Sequence, residues 1–265
     1  MIVTEWSDLQ ENKPGAVASL TMGVFDGMHP GHQSLIERAV SRPAESVVIS
    51  FRSPPAAYLY PGRFPGKLMS LAQRLERFES AGVDRTVLIN FDDVFAAIPG
   101  KLFLDTLDRA FSIAAICIGW NFRCGRGNDT SAADIVQRFG QERVEIVQPV
   151  LSQGKPVSST RLRSLVCDGA YRAFSEFAGY AYVLDLRAEQ MQLEGQYSRI
   201  TLDDRGRIAG TGQLVGARGD VTGWAVGKGR HRIDVQIGPQ YLQWPLVENE
   251  SIDYIVLDKR LEKEI

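Results

Sequence analysis

The chain is short of the residues that would mark an extracellular, membrane or nucleic-acid-binding protein. Its 265 residues include three cysteines, Cys117, Cys124 and Cys167. They are odd in number and lack zinc-ligand spacing, which argues against a disulfide framework and fits a reducing compartment, by default the cytoplasm. No apolar run is long enough to span a bilayer, so no membrane contact is expected. The opening Met1-Ile2-Val3-Thr4-Glu5-Trp6 has no basic stretch followed by an apolar one, so no secretory leader is expected. There is no basic block, and the formal net charge is −2, which leaves no footprint for a nucleic-acid partner. Internal repeats and low-complexity tracts are also missing. What remains, 44% hydrophobic and 23% charged residues, is ordinary for a globular chain of one or two domains.

Short apolar runs alternate with amphipathic stretches over the first two-thirds. Val17–Met22, Ser46–Phe51, Thr86–Phe91, Ala114–Gly119 and Val144–Val147 read as strands, most without polar alternation, as in a parallel sheet covered on both faces. Between them the spacing predicts helices over His32–Val40, Ser70–Ala81, Lys101–Phe111 and Thr130–Phe139. The second opens with a Ser-x-x-Gln capping box and the last follows Asp129 as its cap. This alternation predicts an α/β, doubly wound parallel sheet with its site at the carboxyl ends of the strands. Two further helices, Ser159–Cys167 and about Ala170–Ala178, precede a change of texture. Tyr182–Leu193, Tyr197–Leu202, Gly212–Val215, Trp224–Val226, Arg230–Ile237 and Ile252–Asp258 read as strands of a second, smaller antiparallel β-domain. The expected division is therefore 1–179 and 180–265.

Two of the three histidines sit together in Leu20-Thr21-Met22-Gly23-Val24-Phe25-Asp26-Gly27-Met28-His29-Pro30-Gly31-His32. An apolar strand, a Gly-rich turn and a helix start form a unit whose backbone N–H groups can face a phosphate. Gly23 and Gly27 permit tight turning, and Gly31 opens the helix. His29 and His32 at its positive end can donate hydrogen bonds as charge builds on phosphate oxygens. That equipment suits nucleotidyl transfer. Asp26 can orient an imidazole, hold magnesium through water, or cap the turn. His231, between Arg230 and Arg232, reads as a surface residue.

The longer string Gly23 to Ile36, GVFDGMHPGHQSLI, resembles the adenylyltransferase module of bacterial FAD synthetases within the HxGH nucleotidyltransferases. The resemblance runs from about Ala18 to Tyr182. It implies that FMN and Mg²⁺-bound ATP are substrates and FAD the product. It makes His29 and His32 catalytic, and places Gly23, Phe25 and Gly31 on ATP. Val157-Ser158-Ser159-Thr160-Arg161-Leu162-Arg163 resembles the family's ISSTxIR segment. This implies that Ser159 and Thr160 bind ATP phosphates and that Arg163 is a catalytic contact to the leaving pyrophosphate. No resident metal site is expected.

Gly119 to Asp129 resembles the GxDFRFG segment of the nucleotide and flavin pocket, with Asn121 in place of an acid and Cys124 in place of an aromatic. Phe51-Arg52-Ser53-Pro54-Pro55 stands where the family has a TFxPHP-like segment, with Pro54 where a histidine is expected. Phe51, Pro55, Asn121, Phe122 and Asp129 are the flavin-binding candidates. Family members commonly carry a C-terminal riboflavin kinase marked by a Pro-Thr-Ala-Asn segment. Here Pro239 and Pro245 are the only prolines after Tyr182 and neither precedes threonine, so a degenerate kinase module is expected. Two alternatives fit the same residues: another HxGH adenylyl- or cytidylyltransferase, and a non-catalytic flavin- or nucleotide-binding regulator.

Overall fold

The computed structural model describes residues 1–9, 16–152, 154–247 and 250–260. The chain divides into two compact units, Met1–Gly62 with Arg74–Pro156, and Arg63–Gln73 with Val157–Ile265. In the first, the strands are β1 (Ile2–Glu5), β2 (Val17–Met22), β3 (Glu45–Phe51), β4 (Arg85–Ile89) and β5 (Ser112–Gly119). After them come a two-residue ladder of β6 (Arg123–Cys124) and β7 (Thr130–Ser131), then β8 (Val144–Val147). A second short pair, β9 (Leu151–Ser152) and β10 (Lys155–Pro156), ends the unit. The helices are α1 (Pro30–Val40), α2 (Pro55–Leu59), α3 (Leu71–Ser80, of this unit from Arg74 on), α4 (Asp93–Ala96), α5 (Gly100–Ala110) and α6 (Ala132–Phe139).

Six strands form one parallel sheet in the order β1-β4-β3-β2-β5-β8. From β2 the chain steps outward to β3 and β4, then returns to β5 on the other side of β2. The order therefore reverses between β2 and β5, the position at which open α/β sheets commonly take their ligands. The doubly wound α/β expectation is met. One core is built from Ala18, Leu20, Val47, Ile49 and Ile116 of the strands with Phe103, Leu107, Ile135 and Phe139 of α5 and α6. On α1, Leu35, Ile36 and Ala39 are buried.

The differences from expectation have local causes. β1 lacks a buried apolar run, since Ile2 is 55% and Val3 46% exposed. Its pairing with β4 is an edge contact that periodicity does not signal. α6 starts at Ala132, and its cap is not Asp129. Ser131 and Asp134 form a reciprocal capping box, Ser131 Oγ accepting the Asp134 N–H and the Asp134 carboxylate accepting the Ser131 N–H at 2.8 Å. Asp129 Oδ1 instead accepts the Gly100 N–H at the start of α5, at 3.0 Å. The Ser70 and Gln73 capping box is present, with bonds of 3.0 and 3.1 Å.

In the second unit α7 (Ser159–Cys167) and α8 (Tyr171–Ala178) accompany seven antiparallel strands. These are β11 (Tyr182–Asp185), β12 (Gln192–Glu194), β13 (Tyr197–Thr201), β14 (Gly219–Val226), β15 (Arg230–Ile237), β16 (Tyr241–Pro245) and β17 (Tyr254–Arg260). Their sheet order is β11-β17-β14-β15-β16-β13-β12. The sequence boundary at Gly179 falls inside this unit, because Leu162, Val166, Tyr171 and Phe174 of the two helices share one core with Tyr182, Leu184, Trp244 and Ile255. Gly212–Val215 is not a strand: Gln213 and Leu214 make only isolated bridges, to Lys67 and Arg207. β16 had no counterpart in the sequence reading. Residues 63–73 belong here through buried polar bonds. Gln213 Nε2 donates to the carbonyls of Leu68 (3.1 Å) and Val183 (2.6 Å), and Ser70 Oγ donates to Asp185 Oδ2 at 2.5 Å.

The capping box gives a direct stability test. Ser131→Ala removes one bond to the α6 terminus and is expected to cost about 1 kcal/mol. A denaturant melt followed by a probe in the first unit would show it as a lower midpoint, and an unchanged midpoint would contradict the assignment.

Candidate active site

The histidine loop lies at the carboxyl end of β2, beside the point where the strand order reverses. Its backbone is pinned on both sides. The Gly23 N–H donates to the Ile49 carbonyl at 3.1 Å, and the Val24 carbonyl accepts from Ser50 Oγ at 3.2 Å and from Arg74 Nη1 at 2.7 Å. Two non-glycine residues, Phe25 (φ +53°) and Met28 (φ +26°), hold left-handed conformations, and Gly27 (φ +81°) supplies a third. The Met28 carbonyl is fixed by Gln33 Nε2 at 2.8 Å.

That turn delivers the imidazoles to one place. His29 is itself the N-cap of α1, and Pro30 follows at the first helical position, where its missing N–H costs nothing. The two imidazoles stack with centroids 3.7 Å apart and planes 21° apart. His29 Nδ1 accepts the His32 backbone N–H at 3.4 Å, so in the neutral ring the proton sits on Nε2, ready to donate. Burial drives the His29 pKa from 6.5 down to about 4, with a backbone hydrogen bond opposing the shift. The ring is neutral at pH 7 and acts as a hydrogen-bond donor, not a fixed cation. The glycines make room for these rings. A Cβ on Gly31 would lie 3.2 Å from the His29 ring, and one on Gly23 would lie 3.2 Å from the Phe25 ring.

Phe25, expected to touch ATP, is fully buried. Its ring stands edge-on to His32 at 5.3 Å and to Phe78 of α3 at 5.6 Å. Its side chain packs against an imidazole and is closed to solvent. Asp26 is buried too.

Two other loops leave the same edge of the sheet. After β3, Phe51 is partly buried and Pro55 begins α2, with Pro54 buried before it. Phe51 stands edge-on to Phe91 (5.9 Å) and Phe95 (6.1 Å), and Tyr58 stands edge-on to Phe91 (5.8 Å). Trp6 stacks on Phe103 at 5.2 Å and meets Phe95 at 5.6 Å. Trp6, Phe95, Leu88 and Ile98, with Glu5 and Asn90, line a depression. The sequence reading passed over these aromatics. The signal was available, since Phe91 and Phe95 follow β4 as directly as the motif loops follow β2 and β5.

After β5, Asn121 is exposed, and Phe122 packs partly against the core. Asp129 is engaged with Gly100 and Thr130 Oγ1, which makes it a scaffold of its loop. The Cys124 thiol is pushed up to about 12 by burial and by Asp129 and Asp134, so it is a neutral packing group. Ser159, Thr160 and Arg163 belong to the second unit, on the first turns of α7. Ser158 is the helix cap, accepting the Arg161 N–H at 3.3 Å. Arg163 Nε donates to the Gly66 carbonyl at 3.0 Å, and its guanidinium lies 5.3 Å from the Phe64 ring centre. His231 faces Glu250 at 3.2 Å in that unit, half exposed.

Comparison with known proteins agrees with this geometry. The sequence profile of the FAD synthetase family matches residues 10–161, more than half of the chain. A protein of Geobacillus thermodenitrificans named for riboflavin kinase and FMN adenylyltransferase activities is 33% identical over 174 residues, covering 63% of this chain and 91% of that one. Bifunctional riboflavin kinase/FMN adenylyltransferases of Listeria monocytogenes and Escherichia coli are 24% and 27% identical, over 67% and 63% of this chain. The chain spans 56% of the length of each of these two. A crystal structure of a Streptococcus pneumoniae protein named as a macrolide-efflux protein aligns with a TM-score of 0.81 at 20% identity. It covers 100% of this chain and 92% of that one, a likeness of fold. Among the described residues no helix is long and apolar enough to cross a membrane. The strand–loop–helix unit, the paired imidazoles and the profile match coincide on the same residues: the chain belongs to the FAD synthetase family of nucleotidyltransferases.

Proposed function

We propose that this protein transfers the adenylyl group of ATP to the phosphate of FMN, forming FAD and releasing pyrophosphate, and that it does not phosphorylate riboflavin. The observation that carries the first half is the stacked imidazole pair capping α1 inside the family's profile match. An FMN phosphate oxygen attacks the α-phosphorus of ATP, and the bond to the β-phosphate bridging oxygen breaks. No protein nucleophile takes part. His29, neutral with its Nε2 proton, and His32 stabilise the charge that builds on the α-phosphate oxygens, aided by the positive end of α1. Mg²⁺ enters as part of the ATP substrate and offsets charge on the departing pyrophosphate.

Asn121 and Phe122, with Phe51 and Pro55, are assigned to the flavin. Ser159, Thr160 and Arg163 are assigned to the ATP phosphates on sequence resemblance. The second half of the proposal rests on residues 183–265, where no Pro-Thr-x-Asn segment occurs, although the Listeria and Escherichia relatives are named for both activities.

Incubation with ATP, FMN and Mg²⁺, followed by chromatography for FAD and pyrophosphate, tests the reaction directly. His32→Ala is expected to lower turnover about 10²–10³-fold, the cost of losing one preorganised donor. Unchanged turnover would remove the imidazoles from the mechanism. With riboflavin in place of FMN, no FMN should form, and its appearance would refute the loss of kinase activity.

Burial of neutral His29 also makes stability depend on pH. The unfolded state takes up the His29 proton near pH 6.5, whereas the folded state resists until about pH 4. Its contribution is therefore complete above pH 6.5 and is lost as pH falls from 6.5 to 4, amounting to about 3 kcal/mol. Denaturation of wild type and His29→Gln at pH 7 and pH 4.5 should show wild type losing about 2–3 kcal/mol more than the variant. Parallel losses would show that His29 titrates normally.

A further inference from the structure

We infer that Arg74 is a positioning residue for the proposed adenylyl transfer, holding the histidine loop and the loop after β3 in one fixed relation. The inference rests on that reaction for its kinetic consequences, but its geometry stands alone. Arg74 lies on α3 and is 4% exposed. Its Nη1 donates to the Val24 carbonyl at 2.7 Å, and its Nη2 donates to the carbonyls of Phe51 and, at 3.3 Å, Arg52. These acceptors sit in the two loops that leave the sheet at β2 and β3. A planar guanidinium can bond carbonyls on two separate chain segments at once, and a lysine ammonium on a flexible stem cannot reproduce that fork.

Burial lowers the Arg74 pKa to about 10, with Asp26 opposing the shift. The group therefore stays protonated at neutral pH, and its donors are permanent. Part-buried carbonyls that lose such a partner recover only some of that bonding from water.

The same helix face reaches the imidazoles a second way. Phe78 stands one turn beyond Arg74. It packs edge-on against Phe25, which packs edge-on against His32. Phe25 is the residue after Val24 and holds a left-handed backbone conformation. Arg74 thus grips the carbonyl next to the strained residue whose ring supports His32. Loss of the grip leaves the Val24 carbonyl to Ser50 Oγ alone and loosens the turn that sets the stacking of both histidines.

The test uses the full chain with Arg74→Met, which keeps the stem but removes every donor, and Arg74→Lys. Steady-state kinetics with ATP, FMN and Mg²⁺ should show kcat falling by about 10²-fold in the Met variant, as for a small displacement of reacting groups. KM for ATP should change little, and the Lys variant should recover part of kcat. NMR titration of the imidazoles provides a readout independent of activity. His29 should titrate closer to pH 6.5 in the Met variant than in wild type. Wild-type kcat together with an unshifted His29 titration in a folded Met variant would overturn the inference. If the Met variant does not fold, the Lys variant decides: reduced kcat at unchanged KM supports the role, and wild-type kcat overturns it. If wild type forms no FAD, the adenylyl-transfer reading fails, and the His29 titration alone then decides whether Arg74 positions the loop.

Discussion

The candidate site of the first unit depends on a backbone turn held in a conformation it would not choose alone. Between β2 and α1 the chain places Phe25 and Met28 at positive φ, which costs each residue about 1–3 kcal/mol. The conformation persists because its polar groups are bound to the neighbouring strand and to α3. The Gly23 N–H is held by Ile49, and the Val24 carbonyl by Ser50 and Arg74. The geometry of the candidate site follows from that turn. It sets His29 as the cap of α1, stacks His32 on it, and buries His29 deeply enough to keep it neutral.

A neutral buried imidazole and an exposed cationic one offer different chemistry. The cation would attract phosphate strongly in the ground state. A neutral donor fixed by its own helix gains more as charge develops on the reacting phosphoryl oxygens, which is the difference that lowers a barrier. In the proposed mechanism the strained φ angles are the cost of that preorganisation. The second unit uses buried polarity for another end. Ser70, Asp185 and Gln213 satisfy one another and the carbonyls of Leu68 and Val183, which fastens residues 63–73 to a sheet far away in sequence.

Much of this was legible before the structure. The inner parallel strands β2 to β5 appear as mainly apolar runs because both faces are covered, whereas β8 at the sheet edge carries Glu145 and an exposed Ile146. α1, α3, α5 and α6 appear at their proper places because one stripe of each is apolar. The histidine motif was legible because glycine, proline and histidine in that order have few structural uses. What escaped detection was decided by partners distant in the chain. β1 and β16 are strands through pairing, and Gly212–Val215 fails as a strand because its neighbours pair elsewhere. Asp129 and Ser131 compete for one cap, and only the geometry of the α5 start shows that Asp129 is engaged there.

The sequence by itself determined the α/β class, the chain position of the glycine- and histidine-bearing loop and the pairing of two histidines at a helix start. These are set by local sterics and by periodicity within a few residues. The tertiary structure alone decided that His29 is neutral, that Phe25 supports a ring, and that Arg74 is buried beneath two loops. Each of these depends on which residues from elsewhere in the chain exclude water at that point, and desolvation is not encoded in any short segment.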